Sequence, residues 1–107
     1  MLTKKTAIKI VKDFLAACGE RNITFRKVLL FGSVAANNMH EYSDIDVALV
    51  SEDFSGHPFK DWSMLTPVKI SSRKFSDIEP HPFTTKYFKK GDPFIDVIKK
   101  TGIEIEV

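Results

Sequence analysis

The chain has one cysteine, Cys18, among 107 residues, which excludes an internal disulfide and any metal site built on several thiolates. No apolar run approaches the ~20 residues that cross a bilayer, so no membrane segment is expected. Met1-Leu2-Thr3-Lys4-Lys5 leads into an amphipathic pattern instead of the apolar stretch of a signal peptide, and a cytoplasmic protein is the expectation. The net charge of +2 is too small to argue for direct nucleic-acid binding. Locally, one sign of charge is missing altogether: residues 28–57 hold five acids and no lysine or arginine. Carboxylates in that stretch therefore lack a nearby salt-bridge partner, a lack that a divalent cation would fill. What is plentiful is apolar material. A hydrophobic content of 43% with nine Phe is enough for one core, and a single domain over residues 1–107 is expected.

Residues 3–18 predict an amphipathic helix, with Ala7, Ile10, Val11, Phe14, Leu15 and Cys18 on one stripe. Thr3 suits its N-cap and Gly19 the left-handed residue beyond its end. Cys18 lies on the stripe and reads as a packed thiol. Val28–Phe31 and Ile45–Val50 are continuous apolar runs, the pattern of strands buried on both faces. Between them Gly32-Ser33 stops the first strand, Ser33 can cap a short helical turn, and Asn37-Asn38 ends it. A helix from Phe59 to about Ile70 would be kinked or divided by Pro67, and Lys74–Glu79 alternates as a third strand before Pro80 and Pro82. Asp92-Pro93 opens another helix, with Phe94, Val97 and Ile98 as its apolar side and Gly102 at its end. Ile103–Val107 alternates as an edge strand or an extended tail, with Ile103, Ile105 and Val107 as an apolar stripe open to pairing. The architecture expected is α/β (α+β), a small mixed sheet of about four strands with helices packed on it.

Chemistry concentrates at Asp44-Ile45-Asp46. On a strand, residues two apart share a face, so both carboxylates point at one spot, and two adjacent carboxylates call for a proton or a metal between them. The alternative is that Ser43-Asp44 is only a turn into the strand. Glycine at the end of a buried strand lets backbone approach a ligand, and a following helical turn aims N–H groups at an anion. A phosphate-holding turn and a metal-holding pair on successive strands are the parts needed for a metal–triphosphate complex. For both to meet, the end of the first strand must lie beside the start of the second, which requires antiparallel neighbours. His81 can approach the same spot, although a histidine between prolines is more often structural. His40 and His57 read as exposed. Phe59 and Trp62 could cover a nucleobase, but helical spacing favours core packing.

Gly32-Ser33, ten intervening residues, then Asp44-Ile45-Asp46 resembles the signature of the nucleotidyltransferase superfamily that includes DNA polymerase beta. The stretches Ile78-Glu79-Pro80-His81-Pro82-Phe83, Asp92-Pro93-Phe94 and Lys99-Lys100-Thr101-Gly102-Ile103-Glu104-Ile105 are similar to its minimal nucleotidyltransferase branch. The resemblance implies the nucleotidyltransferase fold and a third carboxylate on a later strand: Glu79 by family position, with Asp77 as runner-up. It implies that Asp44, Asp46 and Glu79 bind a pair of Mg2+ ions and that Gly32 and Ser33 hold the phosphates of a nucleoside triphosphate, ATP above others. It further implies transfer of AMP to a hydroxyl, with a tyrosine of a HEPN-domain partner as acceptor and an antitoxin role. Members often carry Arg-Gly soon after Gly-Ser, where this chain has Ala36-Asn37. That departure motivates the alternative of a partner-binding antitoxin or scaffold without turnover, in a homo- or hetero-oligomer.

Overall fold

The computed structural model describes residues 2–37 and 44–107; the readings on Asn38, His40 and Ser43 lie outside the described residues. In chain order the elements are α1 (Lys4–Glu20), β1 (Lys27–Phe31), α2 (Gly32–Ala35), β2 (Ile45–Ser51), α3 (Pro58–Lys69), a 3-10 turn (Arg73–Phe75), β3 (Ile78–Thr84), α4 (Thr85–Lys90), α5 (Pro93–Thr101) and β4 (Ile103–Ile105). The sheet order is β3-β2-β1-β4. β1 runs antiparallel to both β2 and β4, and β2 runs parallel to β3, giving the expected mixed four-stranded sheet.

Each face of the sheet carries its own core. Val28 and Leu30 of β1, Ile45, Val47 and Leu49 of β2 and Ile78 of β3 pack with Val11 and Phe14 of α1 and Leu65 and Val68 of α3. The alternate residues Leu29, Phe31, Ala48 and Val50 pack with Phe88 of α4 and Ile95 and Ile98 of α5. This two-sided burial is why β1 and β2 read as unbroken apolar runs. Cys18 is buried in the first core, and burial pushes its thiol up to about 12, so it stays a protonated packing group.

Several boundaries differ from the sequence reading, each for a local reason. α1 continues through Gly19, and the left-handed residue beyond it is Asn22 (φ 63). Ile23 N–H donates to Cys18 O and Asn22 N–H to Gly19 O, both at 3.0 Å, which completes a Schellman end with buried Ile23 as its apolar contact. α2 starts at Gly32 with Phe31 as N-cap and no side-chain cap, so Ser33 is inside the turn; Asn37 (φ 58) does end it. Pro67 sits within α3 without dividing it, two residues before its last, where the lost hydrogen bond affects a single turn. Phe59 and Trp62 are 73% and 43% exposed, so they are surface residues and not core; the buried face of α3 is Asp61, Leu65 and Val68.

The third strand is displaced relative to expectation. Arg73–Phe75 is a 3-10 turn, and β3 runs through both Pro80 and Pro82. Ile45 N–H donates to Asp77 O at 2.7 Å, which turns the backbone groups of Glu79, His81 and Phe83 toward β2 and those of Pro80 and Pro82 toward the open edge. The missing proline N–H groups thus cost no ladder bond and also block that edge to further strands. α4, assigned to no element from sequence, is capped by Thr84, whose Oγ1 accepts from Tyr87 N–H at 3.1 Å, and ends at Gly91. In α5 the buried residues are Ile95 and Ile98, while Phe94 and Val97 are exposed. At β4, Ile105 is buried but Val107 is 63% exposed, so the terminal apolar stripe is not continuous.

The loop between β2 and α3 is fixed by a buried carboxylate. Asp61, 2% exposed, accepts from Ser55 N at 2.7 Å, Ser55 Oγ at 2.9 Å and Gly56 N at 2.9 Å, from a position in the first turn of α3 that favours a negative charge. Asp61→Ala would remove the charged acceptor that ties the exposed Ser55 and Gly56 to α3, together with all three of these hydrogen bonds. The expected loss is about 2–3 kcal/mol of stability, read as a melting temperature lowered by roughly 10 °C for a domain of this size.

Candidate active site

The site is assembled where β1 ends and β2 begins. Antiparallel pairing places Phe31 opposite Asp46, as the sequence required if a phosphate turn and a carboxylate pair were to meet. Gly32 follows Phe31 at φ +76, a left-handed conformation, with its α-carbon so close to Asp46 that an added Cβ would overlap Oδ2. Parallel pairing then sets Glu79 of β3 directly across from Asp46 of β2. Paired residues share a face, so Asp46, Glu79 and, two residues on, His81 all belong to the face that carries Phe31 and Ala48. Asp77 falls in the turn before β3, where its carbonyl accepts from Ile45; Glu79 is the acidic residue in register with Asp46.

Asp44 precedes β2 and is exposed, Glu79 is exposed, and Asp46 is half-buried. Asp46 Oδ1 lies 3.3 Å from His81 Nε2, so that carboxylate is held between the imidazole on one side and the Gly32 backbone on the other. His81 is itself wedged between aromatic rings, its centroid 5.0 Å from Phe31 and 5.9 Å from Phe94. The sequence hinted at His81 only through its two-residue offset from Glu79; the alternation of β3, hidden by the prolines, is what brings it in. Among the described residues no group of three metal-ligating side chains is gathered, and no lysine or arginine pairs with Asp44, Asp46 or Glu79. Ser33 lies half-buried in α2, one residue beyond Gly32. In a helix that starts at Gly32, the first-turn N–H groups have no acceptor within the helix.

The donor type suits a hard divalent cation: carboxylate oxygens from adjacent strands, with Asp44 and Asp46 in a stretch of sequence that has no lysine or arginine. Two clefts, of about 480 and 620 Å3, are lined by other residues, the first by the C-terminal half of α1, residues 23–25 and Glu106-Val107, and the second by the β2–α3 loop and the end of β3 with the start of α4.

A strand, glycine turn and paired acidic strands in this arrangement are matched at the level of families: the nucleotidyltransferase domain profile aligns with residues 11–107. The chain belongs to the nucleotidyltransferase domain family. Among solved structures, this nucleotidyltransferase domain is similar to a candidate nucleotidyltransferase from Sulfolobus solfataricus, with a TM-score of 0.67 and 16% identity over 94% of this chain and 80% of the other. At that identity the likeness is one of fold. No curated protein matches the chain in sequence.

α5 brings one more aromatic ring, Phe94, against Phe31 and His81. Asp92 caps it, its Oδ1 accepting from Ile95 N at 2.8 Å, and Tyr87 Oη donates to Asp92 Oδ2 at 2.5 Å. The phenol's hydrogen bond holds Asp92 below the usual carboxylate range, and the same bond to a carboxylate raises Tyr87. Pro93 and Phe94 follow at once, so the cap fixes where the Phe94 ring meets Phe31 and His81.

Proposed function

We propose that this nucleotidyltransferase domain moves a nucleoside monophosphate, AMP from ATP, to a hydroxyl acceptor, and that the acceptor is a tyrosine of a HEPN-type partner protein toward which the domain acts as antitoxin. The observation that carries the transfer reading is the register of Asp46 with Glu79 beside the Gly32 turn. Asp44, Asp46 and Glu79 would hold Mg2+, which when bound stabilises the entering and departing oxygens of an in-line displacement and lowers the pKa of the attacking hydroxyl. The acceptor oxygen forms a bond to the α-phosphorus as the bond to pyrophosphate breaks. Gly32 permits phosphate to approach the backbone, because it has no side chain to fill the space in front of Asp46. Ser33 lies next in the same turn and supplies a hydroxyl and an N–H for the phosphates. His81 orients the Asp46 carboxylate through its 3.3 Å contact and, held by Phe31 and Phe94, keeps that orientation as ligands exchange. The partner and the antitoxin role rest on the resemblance to minimal members of the family. No described helix is long and apolar enough to cross a membrane, which accords with the cytoplasmic location proposed for such a pair.

The test is incubation of the purified protein with α-labelled ATP, Mg2+ and the HEPN-domain protein encoded beside it. Label on a partner tyrosine is the expected result; no label on any protein, with the wild type and the Asp46→Asn variant indistinguishable, would overturn the catalytic reading. Ala36-Asn37 in place of Arg-Gly, with no lysine or arginine paired to the site carboxylates among the described residues, favours a second reading, a partner-binding module without turnover. Under that reading the complex forms and neutralises the partner equally well after Asp46→Asn.

A further inference from the structure

Phe94 is a large aromatic ring left 46% exposed at the start of a helix whose buried residues are Ile95 and Ile98. Its place is specific. The His81 ring, whose Nε2 touches Asp46 at 3.3 Å, has its centroid 5.9 Å from that of Phe94, so Phe94 stands one imidazole away from the carboxylate. Phe31, the residue paired with Asp46, has its ring centroid 5.6 Å from Phe94. The three aromatic neighbours Phe31, His81 and Phe83 meet Phe94 at 77°, 60° and 47°, so none of them is stacked parallel on it. The anchoring is firm beneath: the doubly bonded Asp92 cap precedes Phe94 by two residues.

We infer that Phe94 is the stacking platform for the nucleobase of the bound nucleoside triphosphate. This rests on the nucleotidyl-transfer reading. With the α-phosphate at Asp46, the ribose is a spacer of about one ring between phosphate and base, which matches the one ring, His81, between Asp46 and Phe94. Stacking on a single aromatic ring accepts any base because every base has a π-face. The His81 imidazole beside Phe94 is already engaged with Asp46, so what the ring offers a base is stacking, and the site selects a planar heterocycle over a bare polyphosphate more strongly than one base over another.

Calorimetry in Mg2+ with two ligands tests this: ATP, and inorganic tripolyphosphate, which keeps the phosphates and lacks the base. Phe94→Ala and Phe94→Leu are expected to weaken ATP binding about tenfold or more, to leave tripolyphosphate binding unchanged, and to be rescued by Phe94→Trp. Unchanged ATP affinity in Phe94→Ala would overturn the platform while leaving nucleotidyl transfer intact, and a rise confined to the acceptor KM would reassign the ring to the acceptor. Equal weakening of both ligands would overturn it as a disturbance of the carboxylates. If neither ligand binds the wild-type protein, the platform and the nucleotidyl-transfer reading fail together.

Discussion

Asp46→Asn is expected to lower nucleotidyl transfer by about a thousandfold with little change in stability. Under the proposed transfer the substitution removes charge where transition-state charge would be stabilised, typically a loss of about 10²–10³ in rate. The fold has little stake in the same charge. Asp46 is half-buried with no lysine or arginine partner among the described residues, and asparagine preserves its volume and an oxygen for the His81 contact. A comparison series sharpens the expectation. His81→Gln, which touches the reaction only through Asp46, should cost about 10–100-fold, and Asp77→Asn should cost least, because Asp77 contributes its carbonyl to the ladder with Ile45 and lies outside the register that joins Asp46 to Glu79. Initial rates with saturating ATP, alongside thermal unfolding of each variant, check the order. If Asp77→Asn proves as damaging as Asp46→Asn while Glu79→Gln is silent, the third carboxylate is Asp77.

Why some of this was legible before any coordinates, and some was not, comes down to where each signal resides. β1 and β2 declare themselves because strands buried on both faces need apolar residues at every position, and Val28–Phe31 and Ile45–Val50 supply them. The antiparallel pairing that sets Phe31 opposite Asp46 is what the reading of two half-sites on successive strands requires, since they can meet only if those strands are antiparallel. Asp92-Pro93 fixes the start of α5 through cap chemistry that involves four residues and no distant partner. β3 is the opposite case. Proline is read as a strand breaker because most strands need every N–H, and only the sheet order shows that Pro80 and Pro82 lie on an edge where the missing N–H groups face outward. With β3 truncated in that reading, His81 lost its alternation with Glu79 and looked like a loop residue. Phe94 and Val97 read as part of the apolar side of α5 for a similar reason. At the start of a nine-residue helix, spacing alone does not distinguish the 94/97 face from the 95/98 face, and the sheet beneath decides. α4 carries no periodic signal over six residues, and its visible marks, the Thr84 cap and Gly91, are weak until β3 is known to end beside them.

Gly32→Ala should damage both stability and activity, and Gly56→Ala separates the two causes. Both glycines have positive φ, +76 and +89, where an L side chain costs about 1–2 kcal/mol. A melting temperature lower by roughly 5–15 °C is therefore expected for each. Their surroundings differ. An added Cβ at Gly56 would meet only Thr84 Cγ2, at an ordinary 3.5 Å, whereas at Gly32 it would overlap Asp46 Oδ2 and press on Cγ at 3.2 Å. The Asp46 carboxylate would have to rotate or β1 and β2 to separate; rotation breaks the contact with His81, and separation strains a ladder buried on both faces. Either response removes Asp46 from its place opposite Phe31 and beside Glu79, so transfer should fall about a hundredfold or more, below what unfolding explains. Gly56→Ala, equally strained but distant from the carboxylates, should retain near wild-type rates below its melting temperature. Equal activity losses in the two variants would mean that Gly32 serves the turn alone. A loss peculiar to Gly32→Ala would show that the glycine is there because phosphate, backbone and Asp46 must share a space that no side chain can enter.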